Sequence, residues 1–174
     1  RRVWGMAFAN GRLYYAVAGS QQVWSIAIGE DGTFSGDARR EIEVTGLAGA
    51  GPITDMLFDN AGRIYLAQRS PAKGSFAYSE LTKPGEATVL RYRRSADGSG
   101  WEVDPESYAI GMPAPHTAAN GGIALGYDYN RAGAARHSKC GGMIRSTGER
   151  LVSSAQHGAG EADVQGLQGN ATTA

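Results

Sequence analysis

The stretch ITDMLFDNAGRIYLA, residues 53–67, decides the fold reading. An apolar run from Ile53 to Phe58 meets Asp59-Asn60-Ala61-Gly62. The chain then continues as Arg63-Ile64-Tyr65-Leu66-Ala67. Asn and Gly tolerate the positive φ that a tight turn demands. The flanking residues are aliphatic, aromatic and β-branched, as strands prefer. The stretch is predicted to be a β-hairpin.

Residues 3–17, VWGMAFANGRLYYAV, repeat the design. Met6 matches Met56, Phe8 matches Phe58, Asn10 matches Asn60, and Gly11-Arg12 matches Gly62-Arg63. The two methionines stand fifty residues apart. Each hairpin is followed by a third strand, Gln22 to Ile28 or Ala87 to Arg93, and by a turn, Glu30-Asp31-Gly32 or Ala96 to Gly100. A fourth strand is expected at Glu41 to Val44 in the first unit and at Ser107 to Ile110 in the second.

Four antiparallel strands at this period describe a propeller blade. The expected fold is therefore all-β, a β-propeller of about three four-stranded blades. These would form a fragment, or one half, of a six-bladed ring. Blade 1 spans residues 1–50. Blade 2 spans 51–112 and carries an insertion at 69–86. An irregular blade 3 covers 113–162, with Gly122 to Tyr129 as its inner strand and Gly142 to Ser146 as a later one. Residues 163–174 read as the start of a further blade or a tail, because Val164-Gln165-Gly166-Leu167 echoes Val3-Trp4-Gly5-Met6.

Composition narrows the function. Lys plus Arg and Asp plus Glu each total 17, so the net charge is zero. That argues against a nucleic-acid partner and against recruitment to an anionic membrane. No apolar run approaches the ~18 residues of a membrane span. Glycine, at 26 of 174 residues, is about twice its usual share, as many short strands and turns require. No signal peptide is visible, and the chain opens on a strand without an initiator Met. It reads as an excerpt or a processed product. Three blades cannot close a ring. The end blades are therefore expected to contact further blades of the same protein or a second copy. The single cysteine, Cys140, has no partner within the chain.

The hairpin of residues 53–67 resembles the repeats of NHL-type and SMP-30/gluconolactonase-like propellers. The run Asn120 to Tyr127, with Ser146-Thr147-Gly148-Glu149 and Gly166 to Asn170 downstream, resembles large exported alphaproteobacterial propeller proteins of no assigned activity. These resemblances imply a secreted, periplasmic or cell-surface protein. The SMP-30 likeness implies a divalent cation in the central channel, with Asn120, Asp128 and Asp55 as candidate ligands. Calcium is the cation such hard oxygens would hold; otherwise no cofactor is implied. The family's Asn-Asp-Gly is Asn-Gly-Gly here, so one acid is missing. The simpler reading gives Asn120 a turn and lets Asp55 satisfy backbone donors at a strand end.

Other chemistry is weaker. His116, His137 and His157 share no zinc-ligand spacing, and no G-x-S-x-G is present. Gly46 to Gly51 lacks the phosphate-loop order and reads as a flexible connection. Arg91 and Arg93 are expected on an outer face. Glu102, Asp104 and Glu106 are expected on a solvated edge. Most strand aromatics, among them Trp4, Trp24, Tyr14, Tyr15 and Tyr65, are expected in the core between sheets. Trp101 and the insertion residues Phe76 and Tyr78 are candidates for exposed rings that bind a glycan or a protein, with His116 in the loop 111–121 beside them. The expected function is a non-catalytic binding module. The alternatives are a metal-dependent hydrolase and a structural part of a larger assembly.

Overall fold

The computed structural model describes residues 2–71, 86–104, 119–126, 132, 134, 142–148 and 166–171. Among these, the chain is all-β and no helix occurs. Three antiparallel sheets hold four, four and three strands. Sheet 1 is β1 (Val3–Ala9), β2 (Arg12–Val17), β3 (Gln22–Ala27) and β4 (Arg39–Glu43), side by side in that order. Sheet 2 is β5 (Ile53–Phe58), β6 (Ile64–Gln68), β7 (Val89–Arg94) and β8 (Trp101–Val103). Sheet 3 is β9 (Ala119–Gly126), β10 (Met143–Gly148) and β11 (Gly166–Ala171).

Both repeated hairpins form where their turn residues place them. Asn10 and Gly11 take φ of 50° and 72°, the left-handed pair of a two-residue turn that matches strand twist. Ala9 then pairs with Arg12. In the second hairpin Asp59 organises the turn. Its Oδ1 accepts from the N–H groups of Ala61 (2.9 Å) and Arg63 (3.0 Å). Its Oδ2 accepts from Arg63 Nε (2.6 Å) and from the Tyr65 hydroxyl (3.0 Å).

Two expected strands fall elsewhere. β8 is Trp101–Val103, not Ser107 to Ile110, which lie outside the described residues. The turn Ser95 to Gly100 closes at once, with Ser95 N–H donating to Gly100 O (3.1 Å), so the ladder resumes at Arg94 opposite Trp101. Gly166–Ala171 does not open a further sheet. It extends the ladder of β10 from Met143 opposite Ala171 to Gly148 opposite Gly166.

The sheets pack face to face. Tyr14, Ala16, Val23 and Ile42 of sheet 1 share one core with Ile53, Met56, Ile64, Leu66 and Tyr92 of the second sheet. The opposite face of sheet 2 offers Tyr65, Ala67 and Val89 to Ala119 and Ile144 of sheet 3. Every residue of β6 is buried, because a strand covered on both faces has no solvent side on which to alternate. Gln68 reaches from β6 into the glycine-rich connection. It donates to Gly49 O (2.7 Å) and accepts from Ala48 N–H (3.1 Å). That connection is therefore pinned. The first strands of the sheets run side by side, β1 beside β5 and β5 beside β9.

Candidate functional site

Two of the three expected cation ligands lie where β9 packs along sheet 2, Asp55 on β5 and Asn120 on β9. Asp55 Oδ2 accepts from Ile123 N–H (3.0 Å), and its Oδ1 accepts from Met56 N–H (2.9 Å). Its neighbour Thr54 donates through Oγ1 to Gly121 O (2.8 Å). Asn120 forms a bridge with Arg69. Its Oδ1 is enclosed and has no hydrogen-bond partner among the described residues. Oδ2 of Asp55 thus ties β5 to the backbone of sheet 3, while Oδ1 stays within β5. Asp128 lies outside the described residues. No cluster of three His, Cys, Asp or Glu side chains occurs among the described residues.

The approach of β9 to β5 depends on Gly121. Its φ is +84°, and a Cβ there would stand 2.1 Å from Thr54 Oγ1 and 2.7 Å from Arg69 Cβ. Left-handed strain and overpacking would both act on a side chain. Gly121→Ala is expected to lower the unfolding free energy by about 3 kcal/mol. Gly11→Ala is the control, since Gly11 also has positive φ but open space around it; its cost is about 1 kcal/mol. Urea midpoints measure both, and equal losses would show that the crossing tolerates bulk.

Trp101 is placed differently from expectation. Its ring is half-buried beside the core shared by sheets 1 and 2. Nε1 donates to Glu41 Oε2 (3.0 Å). The Arg94 guanidinium lies 4.1 Å from the ring centroid, and Tyr14 meets the ring edge-on at 6.3 Å. The ring is committed to the seam between two sheets. Phe76, Tyr78 and His116 lie outside the described residues.

Glu41 is the hub of that seam, with only 5 % of its side chain exposed. Its carboxylate also accepts from Ser25 Oγ (2.5 Å) and Arg39 Nε (2.8 Å). Arg94 stands 3.5 Å away and Arg12 3.9 Å. Burial pushes the Glu41 carboxyl upward, but donation from Ser25, Arg39 and Trp101 outweighs it and holds the group below its ordinary range. Burial, and then the charge of Glu41, raise the Tyr14 hydroxyl.

Arg91 also departs from expectation. It is buried, facing sheet 3 with Tyr65 beside it, and its Nε lies 2.8 Å from Asp104 Oδ2. Arg93, two residues on, reaches solvent and pairs with Glu102 at 2.8 Å.

An apolar surface lies on the face of sheet 1 turned away from sheet 2. Alternation and register place Met6, Phe8, Leu13, Tyr15, Trp24 and Ile26 on it. Met6 is 57 % exposed and Phe8 63 %. With Val3 and Phe34, this face forms a shallow depression of about 370 Å³. Trp4 is exposed as well. Strand aromatics expected in the core therefore divide: Tyr14 and Tyr65 are buried, Tyr15 and Trp24 lie on the open face, and Trp4 is exposed. Period-two alternation marks two faces but does not say which one has a neighbour. No family model, curated protein or solved structure matches this chain.

Proposed function

We propose that the chain is a section of a β-propeller that acts as a non-catalytic module for binding a protein or a glycan. One observation carries the reading. Sheets stack in series with the first strand of each at a common seam, and Asp55 and Thr54 of that seam are spent on holding strands. Asp55, the carboxylate best placed for chemistry there, already accepts two backbone N–H groups. The fifty-residue repeat and the face-to-face packing support the propeller. An exported setting belongs to the same reading and rests on the resemblance alone.

The enclosed Asn120 Oδ1 favours a second reading, a metal-dependent hydrolase of the SMP-30/gluconolactonase kind. Calcium titration with a thermal-melt readout separates the two. Millimolar calcium is expected to leave the melting temperature unchanged, with no lactone hydrolysis. A saturable rise that disappears in Asn120→Ala, with turnover of a lactone, would replace the module by the enzyme. A glycan array supplies the positive arm. Binding that is lost in the Phe76→Ala/Tyr78→Ala double variant supports a glycan ligand; a silent array removes the glycan and leaves a protein partner.

A further inference from the structure

The open face of sheet 1 has a covered counterpart in the same molecule. Met6 and Phe8 of β1 correspond to Met56 and Phe58 of β5, and Leu13 and Tyr15 of β2 correspond to Ile64 and Leu66 of β6. In sheet 2 this bulky face is packed in one cluster with Ala7, Ala9, Tyr14 and Ala16 of sheet 1. What covers it is the face of sheet 1 whose first strand carries Gly5, Ala7 and Ala9, with Tyr14, Val23 and Ile42 on the strands behind. Gly5 is needed there, because a Cβ would stand 3.0 Å from Asp55 N.

The far end of the stack carries a matching small-residue face. On β9, Ile123 and Leu125 pack toward sheet 2. Gly122, Ala124 and Gly126 therefore face away, at the same spacing as Gly5, Ala7 and Ala9. Ala124 is exposed. Thr147 and Arg145 of β10 lie on that side, over Gly122 and Gly126, with Ala124 open between them. An arginine is compatible with such an interface, since Arg12 sits on the second strand of the covered face of sheet 1 with its side chain 13 % exposed.

We infer that the bulky face of sheet 1 docks on the small-residue face of sheet 3 in a second copy of this chain. The contact continues, between molecules, the face-to-face stacking made twice within one, in the bulky-on-small form seen between sheets 1 and 2. It buries different patches on the two partners, so it is head-to-tail and either closes a ring or propagates. It goes beyond the proposed function and does not depend on what ligand the module binds. Soluble monomers rarely leave a contiguous apolar face of this kind in water.

Sedimentation velocity over a dilution series tests it. The chain is expected to sediment at twice its own mass or more, and to dissociate on dilution. Met6→Lys and, separately, Ala124→Trp are expected to weaken association by at least about tenfold, or about 1.4 kcal/mol. Both sites are exposed within one chain, so the melting profile of the dissociated monomer should not change. Thiol cross-linking fixes the geometry. In a Cys140→Ser background, a short bis-maleimide should join Met6→Cys chains to Ala124→Cys chains in a mixture, and neither variant to itself. A monomer at every concentration overturns the inference. So does association unaffected by both substitutions, or self-linking of Met6→Cys without linking in the mixture, which would mean two bulky faces meeting each other.

Discussion

Asp104→Ala is expected to lower the unfolding free energy by about 3–5 kcal/mol. The side chain of Arg91 is 2 % exposed and that of Asp104 is 9 %, with Nε and Oδ2 2.8 Å apart. An arginine cannot shed its proton in a protein. Removing the carboxylate takes from that buried charge, beside Tyr65, an anion that offsets its desolvation. A small domain is stable by about 5–15 kcal/mol, so one substitution removes about a fifth of the total or more. The loss should persist at high salt, because buried pairs are screened far less than exposed ones. Removing both charges should behave differently. An Arg91→Met/Asp104→Leu double variant is expected to recover most of the stability, as apolar replacements of buried pairs often do. Urea unfolding followed by tryptophan fluorescence measures all three chains, and the slopes should match. A loss below about 1 kcal/mol in the single variant would place the pair among solvated surface bridges.

That pair also shows what could be read from the chain and what could not. The hairpins were legible because local chemistry specifies them. Asn10-Gly11 needs no distant partner to turn, and the fifty-residue echo of Met6-x-Phe8 in Met56-x-Phe58 identified a repeated sheet. Burial of charge was not legible. Arg91 and Arg93 look alike in sequence, yet one faces the neighbouring sheet and the other reaches solvent past it. The difference depends on how far each lies from a strand that arrives much later in the chain. Trp101 looked like a free ring beside a turn, but its hydrogen-bond partner, Glu41, is sixty residues away in another sheet. Asp59 was hidden in plain view. Its neighbours Asn60-Ala61-Gly62 carry the turn signal, whereas Asp59 itself accepts the hydrogen bonds that hold the turn. At the inner seam, the sequence reading grouped Asp55 with Asn120, and the fold does bring both to where β9 packs along sheet 2. The backbone donors expected at Asp55 are there, but that one of them belongs to Ile123 of another sheet had no local signal.

Glu41→Gln is expected to cost about 3 kcal/mol at neutral pH, and the cost should shrink on acidification. The amide has one acceptor oxygen where the carboxylate has two, and it carries no charge for Arg39, Arg94 and Arg12 to face. Ser25, Arg39 and Trp101 cannot all keep their acceptor, and an unmet donor in this seam costs about 1–3 kcal/mol. The pH dependence follows from the direction of the shift. The folded carboxyl lies below its ordinary value of 4.5, so its contribution is fully present above that pH and is lost as pH falls through the folded value. Asp31, Asp37 and Asp97 are shifted the same way, so the whole molecule weakens in acid and the wild-type curve alone does not isolate Glu41. The informative quantity is the gap between wild type and Glu41→Gln, since the exposed aspartates are common to both. That gap should be widest above about pH 5 and should narrow steadily toward about pH 3. A gap that stays constant over this range would mean that the shape of Glu41, not its charge, holds Trp101 between the sheets.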